Sequence, residues 1–317
     1  MAKPMRERAA EFREIASGLR FPEGPVALPD GDLLVVEIAR GTLSRIRPDG
    51  RVDVVAEPGG GPNGAAIGPD GHCYLCNNGG FRWHERDGRI LPGLQAADYS
   101  GGRIERVDLS TGKVEVLYRE CDGVPLKGPN DLVIDRSGGI WFTDHGKSRW
   151  RERDRGGVFY ARADGSSIVE VIHPIEDPNG IGLSPDERWL YVAETHAGRL
   201  WAYEIAGPGA IVKGQGETPW QHGRLLAGVS DFRFFDSLAV EADGNVCVGT
   251  VVKGGITVAA AAGGIVEFVA TPADELATNI CFGGPGLKTA YITLSSTGRL
   301  VATGWPRSGL ALNFLNR

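Results

Sequence analysis

The chain has 317 residues, 42% hydrophobic and 23% charged, with a formal net charge of −6. These are the proportions of a globular protein with room for a large core, and without a Lys/Arg run they argue against a nucleic-acid partner, whose phosphates need a basic face. No window reaches eighteen apolar residues, so no membrane span is expected.

The first residues, MAKPMRERAAEFREIASGL, hold no apolar secretory core, and the expected location is cytoplasmic. About ten of them, around Glu7 to Ile15, form the one expected helix, and the segment of about 1–18 is expected to help close the fold. A phrase then recurs along the chain. FPEGPVALPDGDLLVVE occupies 21–37, GPNGAAIGPDGHCYLCN 61–77, GPNDLVIDRSGGIWFTD 128–144, DPNGIGLSPDERWLYVAE 177–194 and FDSLAVEADGNVCVGT 235–250. ELATNICFGGPGLKTAYIT, at 275–293, is a looser sixth copy. Each copy reads as a strand, a Pro-Asp-Gly-like turn and a returning strand. Further strand-like runs between copies, such as TLSRIRPDGRVDVVA and GRIERVDLSTGKVEVLY, make two hairpins per repeat. The expected fold is therefore all-β: one domain over 1–317, a six-bladed β-propeller of four-stranded sheets.

Five cysteines (Cys73, Cys76, Cys121, Cys247 and Cys281) lie in apolar runs and read as reduced packing residues. Cys73 and Cys76 share one strand, where residues three apart point to opposite faces. That disfavours a redox or zinc pair.

Seven residues before the turn Asp, or its equivalent, stand Glu23, Asn63, Asn130, Asn179, Asp236 and, in the loose copy, Thr278. Equivalent positions on the innermost strands of a propeller face one axis, so these side chains form a ring of oxygen donors. Two acids with carboxamides, and no His or Cys, suit a hard cation, Ca²⁺ first and then Mn²⁺ or Mg²⁺. Without a cation the two acids would repel. The bland alternative is turn chemistry and a water-filled channel, but turn chemistry alone does not ask for Glu23.

Together FPEGP, GPND, DPNG-x-x-LSPD and FDSLAVEADGN resemble the senescence-marker/gluconolactonase/luciferin-regenerating-enzyme family, the regucalcin-like proteins, from about Leu19 to the final TNICFGGPGLKTAYIT. The resemblance implies a six-bladed propeller with one divalent ion in the central channel, Ca²⁺ first, with Mn²⁺, Mg²⁺, Zn²⁺ or Fe²⁺ as alternatives. It implies hydrolysis of a small-molecule lactone. It places metal ligands at Glu23, Asn130, Asn179 and Asp236, the general base at Asp236, and a substrate contact at Asn130. Regucalcin-like members carry an Arg two residues before Asn130, where this chain has Gly128, so their sugar-acid specificity does not carry over. Some relatives bind a second, structural Ca²⁺ through the residue here numbered Asp131. In paraoxonase-type relatives a second acid follows the metal-binding Glu, where this chain has Gly24.

Other residues are candidates by position. Asn63 in the ring, Trp83 and Tyr99 in the insertion at about 78–102, and His145 at the rim are the expected substrate contacts; His196 is placed like His145. The insertion reads as an irregular lid, or as a loop packed on a neighbouring blade. A basic insertion at 146–157 attracts an acid substrate or is a solvated loop. Glu37, Asn77, Asp144, Glu194, Thr250 and Thr293, where the returning strands end, either orient the ligands or satisfy loop amides. The first reading is a metal-dependent lactonase. The alternatives are a calcium-binding or partner-binding propeller without catalysis, and another metal-dependent ester or phosphotriester hydrolase.

Overall fold

The second strand of each copy is apolar along most of its length because both of its faces are buried. In Leu33–Glu37, Leu34 and Val36 pack with Leu75 and Val107 of the next repeat, while Leu33 and Val35 pack with Cys281 and Leu300 of the last. A computed structural model, which describes residues 6–214, 216, 218 and 221–316, shows the same division throughout. Six large apolar clusters lie between successive repeats, and the sixth joins the last repeat to the first. Stability therefore resides in six inter-sheet cores. The five cysteines are free and buried. Cys73 faces the first–second cluster and Cys76 the second–third, as a pair three apart on a strand must.

The strands form antiparallel four-stranded units. The innermost strands are Pro22–Ala27, Pro62–Ile67, Pro129–Ile134, Pro178–Leu183, Phe234–Val240 and Leu276–Gly283. Each packs against the innermost strands of the units before and after it, and the last packs back on the first. The arrangement is consistent with a six-bladed propeller. The fifth and sixth units also pair at Thr250 and Ala277, which merges them into one sheet.

The helix expected around Glu7 to Ile15 does not form. Arg6–Arg8 runs parallel to Ile265–Ala270 at the edge of the fifth unit. Arg13–Ala16 pairs antiparallel with Arg299–Gly304 as the fourth strand of the sixth unit. A ten-residue helix is too short to stabilise itself, whereas two open edges offer a ready ladder. Residues 1–5 of the expected closing segment lie outside the described residues. The only helical element among the described residues is the 3₁₀ turn Pro285–Leu287, so no helix there is long and apolar enough to cross a membrane.

At one end of the channel, residues 310–315 lie across the innermost strands. Leu310 N donates to Val240 O (2.9 Å) and Asn313 Nδ2 to Ile134 O (3.0 Å). Beneath them is an apolar cavity of about 110 Å³ lined by Val26, Leu132, Leu183, Leu238, Phe282 and Leu312. The cavity also reaches Gly24, Asp131 and Asn279, the residues that follow three of the ring positions.

The innermost strands approach so closely that the residue after the ring position is often glycine. A Cβ at Gly180 would stand 2.7 Å from both Asp236 O and Leu238 N. Gly180→Ala should destabilise the protein by about 1–3 kcal/mol, the usual cost of overpacking, read as a lower urea midpoint with an unchanged slope.

Candidate functional site

A repeated irregularity aims the ring side chains. Each innermost strand loses register with its neighbour at the ring position: between Glu23 and Val26, Pro62 and Ala65, Pro129 and Leu132, Pro178 and Ile181, Phe235 and Leu238, and Ala277 and Asn279. Such a bulge bends the strand and re-aims a side chain. The next residue meets the neighbouring strand. It is Gly24, Gly64 or Gly180 in three units, where a Cβ would stand 2.6–2.7 Å from the carbonyl oxygen of Asn63, Asn130 or Asp236 respectively. In the other three it is Asp131, Ser237 or Asn279.

The turn leading into four of these strands is fastened by the end of the returning strand. Glu37 accepts from Arg20 N (2.8 Å), Asn77 from Gly61 N (2.9 Å), Asp144 from Gly128 N (2.7 Å) and Glu194 from Glu176 N (3.2 Å). Thr293 Oγ1 accepts from Asn279 N (2.9 Å), and Thr250 bonds Thr257 (2.7 Å). The loop-amide reading thus describes Glu37, Asn77, Asp144 and Glu194, whereas Thr293 Oγ1 also bonds the ring member Thr278 (2.8 Å).

The ring is buried and acidic. Glu23 is 3% exposed, Asn63 and Asn179 5%, Asn130 7% and Thr278 2%; Asp236 is the member that is only partly buried. Glu23 Oε2 accepts from Gly24 N (3.0 Å) and from Asn279 Nδ2 (2.8 Å). Asn179 Oδ1 accepts from Ser237 Oγ (3.3 Å), and its Nδ2 donates to Thr195 Oγ1 (3.1 Å). Burial raises the pKa of Glu23 above the usual carboxylate range, against hydrogen bonds from Thr278, Asn279 and Gly24. Asp236 is raised well above it, by burial and then by the charges of Glu23 and Asp131, against a hydrogen bond with Asn179. Burial and Glu23 push Asp131 up to about 8. Glu23, Asp131 and Asp236 are thus close enough to oppose one another's ionisation, and Asn179 adjoins Asp236. Asn130 Oδ1 is buried without a hydrogen-bond partner.

This donor set fits a divalent cation. Two carboxyls resist ionising together, an adjacent carboxamide oxygen has nothing to accept, and a hard cation relieves both. Among the described residues no three His, Cys, Asp or Glu side chains cluster for metal binding. The expected donor set draws on two carboxyls and on the carboxamides of Asn130 and Asn179.

Four further candidates lie at the rim. The segment 78–102 is not irregular. It forms a hairpin, Phe81–Arg86 with Arg89–Gln95, because the turn Asp87-Gly88 adopts the left-handed backbone a tight hairpin needs. Trp83 packs on Phe21 (5.1 Å) and Phe81 (5.9 Å), so it abuts the turn into Glu23. Tyr99 Oη donates to Lys127 O (2.6 Å) and accepts from Gly102 N (3.1 Å). The buried Lys147 clamps the hairpin. Its Nζ donates to Asn78 Oδ1 (3.0 Å) and Gly80 O (2.9 Å) and sits 3.8 Å over the Phe81 ring. Burial pushes its pKa down to about 7. The basic insertion spends much of its charge on ion pairs: Arg149 pairs with Asp154 (2.8 Å), Arg155 with Glu176 (3.0 Å), and Arg153 with Asp177.

His145 N donates to Gly128 O (2.9 Å), its Nε2 lies 3.8 Å from Asp177 Oδ1, and its Nδ1 is buried without a partner. Burial, with His196, Arg153 and Lys147 nearby, pushes its pKa down to about 3. His196 Nδ1 lies 2.7 Å from Asp177 Oδ2. Asp177, Ser237, Asn279 and Lys147 join the site in addition to the ring and rim positions expected from the sequence. A signal existed for two: Ser237 and Asn279 stand where three other repeats have glycine.

The family model described as SMP-30/Gluconolactonase/LRE-like region matches residues 21–296. The chain belongs to that family. It is 26% identical to the gluconolactonase of Zymomonas mobilis over 89% of this chain and 78% of that protein. It is 28% identical to the lactonase drp35 of Staphylococcus aureus, over 59% of this chain and only 52% of that protein. Among solved structures, a calcium-binding regucalcin from Agrobacterium tumefaciens superposes with a TM-score of 0.76 at 18% identity, covering 98% of this chain and 99% of that one. A gluconolactonase from Xanthomonas campestris gives 0.73 at 24% identity, over 94% and 90%. Within the family, Gly128 marks a physical departure. A Cβ there would stand 2.5 Å from Gly146 O, so the position that carries Arg in regucalcin-like members admits no side chain here.

The opposed carboxyls give the site a pH signature. A carboxyl near 3.9 in the unfolded chain and about 8 when folded, as for Asp131, binds its proton more tightly in the folded state. Its stabilising contribution is complete below the lower value and is lost as pH rises through the interval. Chelator-treated protein should therefore lose melting temperature from pH 5 to 8. Ca²⁺ should restore it, by about 2.7 kcal/mol at a hundredfold excess over Kd, and less at pH 5, where protons compete for the carboxylates.

Proposed function

We propose that the protein hydrolyses a small-molecule lactone with the help of one divalent cation, Ca²⁺ first, held by Glu23, Asn130, Asn179 and Asp236. The observation that carries this reading is the pair of opposed acids, Glu23 and Asp236, beside the unpartnered Asn130 oxygen. Relatives named gluconolactonase and lactonase supply the reaction class. When bound, the cation would polarise the lactone carbonyl and make a neighbouring water more acidic.

The remaining work falls to the chain. Asp236 is the least buried of the four, so it is the carboxylate a water and a substrate reach. It holds the attacking water or takes its proton. Beside a cation its carboxyl is drawn back toward ordinary acidity and makes a weak base, so cation and residue must share the task. Asn130 carries an amide N–H₂ as well as the free oxygen and can steady the substrate carbonyl. Asn179, bonded to Ser237 and Thr195, and Glu23, bonded to Asn279, keep a fixed geometry. An ester seated on the rim side would lie within reach of Asn63, His145 and the hairpin that carries Trp83. Gly128 favours a lactone without the polyhydroxylated acid chain that an Arg would recognise.

The test is a panel of lactones assayed with chelated protein and with each cation restored. Turnover should require the cation. Asp236→Asn should lower kcat by roughly two orders of magnitude or more with the fold intact, since the inter-unit cores are untouched. Glu23→Gln should weaken cation affinity, with activity partly recovered at high cation concentration. Cation binding without turnover of any lactone would instead make this a binding propeller.

A further inference from the structure

Beside the ring, on the Asn179 side, His145 converges with three side chains that the proposed chemistry leaves unused: Arg153, Asp177 and His196. Asp177 is the hub. Its side chain is 2% exposed, and its backbone has φ 45°, a conformation that costs a non-glycine residue energy. Its carboxylate accepts from His196 (2.7 Å), lies 3.8 Å from His145 Nε2 and is ion-paired with Arg153. Thr195 N donates to Asp177 O (3.1 Å), which ties the residue before His196 to the same point.

The residue before His196 is bonded to the ring. Thr195 Oγ1 accepts from Asn179 Nδ2 (3.1 Å), and Thr195 O accepts from Phe235 N (3.3 Å), next to Asp236. The His196 ring packs against Phe234 in a tilted arrangement, centroids 5.0 Å apart. Its side chain is 54% exposed while its Nδ1 is committed to Asp177. A neutral imidazole that donates from Nδ1 carries its lone pair on Nε2. Burial and the Arg153 charge lower the pKa of His196, which keeps the ring neutral near neutral pH. A half-exposed base, oriented by a buried carboxylate at the mouth of a site, is the arrangement that general acid–base catalysis uses.

We propose that His196 is the proton-transfer residue of the hydrolysis, with Asp177 as its positioning residue. The inference rests on the lactonase reading above and assigns to Asp236 the holding of the water. As the water oxygen bonds to the carbonyl carbon, one water proton passes to Nε2, and the C=O π pair moves onto the carbonyl oxygen. When that pair returns, the ring C–O bond breaks. Its electron pair stays on the ring oxygen, which takes the proton back from Nε2. One water is consumed, one hydroxy acid is released, and nothing is oxidised or reduced.

The experiment compares intact wild type, His196→Ala, His196→Gln and Asp177→Asn on one lactone that wild type hydrolyses, with saturating cation. His196→Ala should lower kcat about 10²- to 10⁴-fold while leaving KM, cation content and melting temperature near wild type. Added imidazole should restore part of the rate to His196→Ala but none to Asp236→Ala. Asp177→Asn should lower kcat without changing KM. Wild-type kcat in His196→Ala, or a loss that imidazole does not restore, overturns the assignment and leaves the lactonase reading standing. A wild type that turns over no lactone with any cation removes both. A measurement independent of turnover is ¹⁵N NMR of the histidines in the wild-type protein. His196 should be the Nδ1–H tautomer at neutral pH and lose that preference in Asp177→Asn; an Nε2–H tautomer in wild type overturns the proposal.

Discussion

Six backbones pass within contact of one another around one axis, and that approach decides what the axis can carry. Where Gly24, Gly64 and Gly180 follow a ring residue, the neighbouring carbonyl stands where a Cβ would be. Where the position is instead Asp131, Ser237 or Asn279, the side chain bridges to another strand, as Asn279 does to Glu23 and Ser237 to Asn179. Close approach and polar bridging together force Glu23 and Asp236 into each other's field. Burying opposed carboxyls does not stabilise a fold. The six apolar interfaces between units carry the stability and make the acidic centre tolerable, so scaffold and site are energetically separate.

Much of this was legible in the sequence because it is periodic. Apolar runs such as LLVVE and CYLCN feed two interfaces at once, and a turn at a fixed distance from an oxygen-bearing residue recurs in each copy. The opposite faces of Cys73 and Cys76 followed from strand geometry alone. The N-terminal stretch misled because Glu7 to Ile15 has helical composition, while its conformation is set by the sheet edges of the fifth and sixth units, hundreds of residues away. Asp177 and Lys147 were illegible for a similar reason. Their partners, His196 and Arg153 for one and Asn78 and Phe81 for the other, come from separate loops, and no spacing announces them.

The two rim insertions are less independent of the fold than their composition suggests. The hairpin of Phe81–Arg86 and Arg89–Gln95 is anchored by an ammonium held in a cage of carbonyl oxygens and an aromatic face. Desolvation at Lys147 is offset only while Asn78, Gly80 and Phe81 stay in place. Trp83 wedges the same hairpin against Phe21. The rim is therefore built as a fixed wall, and substrate discrimination by it would come from shape.

Arg13–Ala16 leaves the ribosome long before its partner, Arg299–Gly304, has been made. Five units can assemble as the chain emerges, but the sixth lacks its outer strand until both ends of the sequence meet. Until then Asn279 has not reached Glu23, and the acids have no closed channel around them. Closure of the ring and formation of the Asn279–Glu23 contact at its centre thus belong to one step, and a ring left open would hold its outer sheets without that centre.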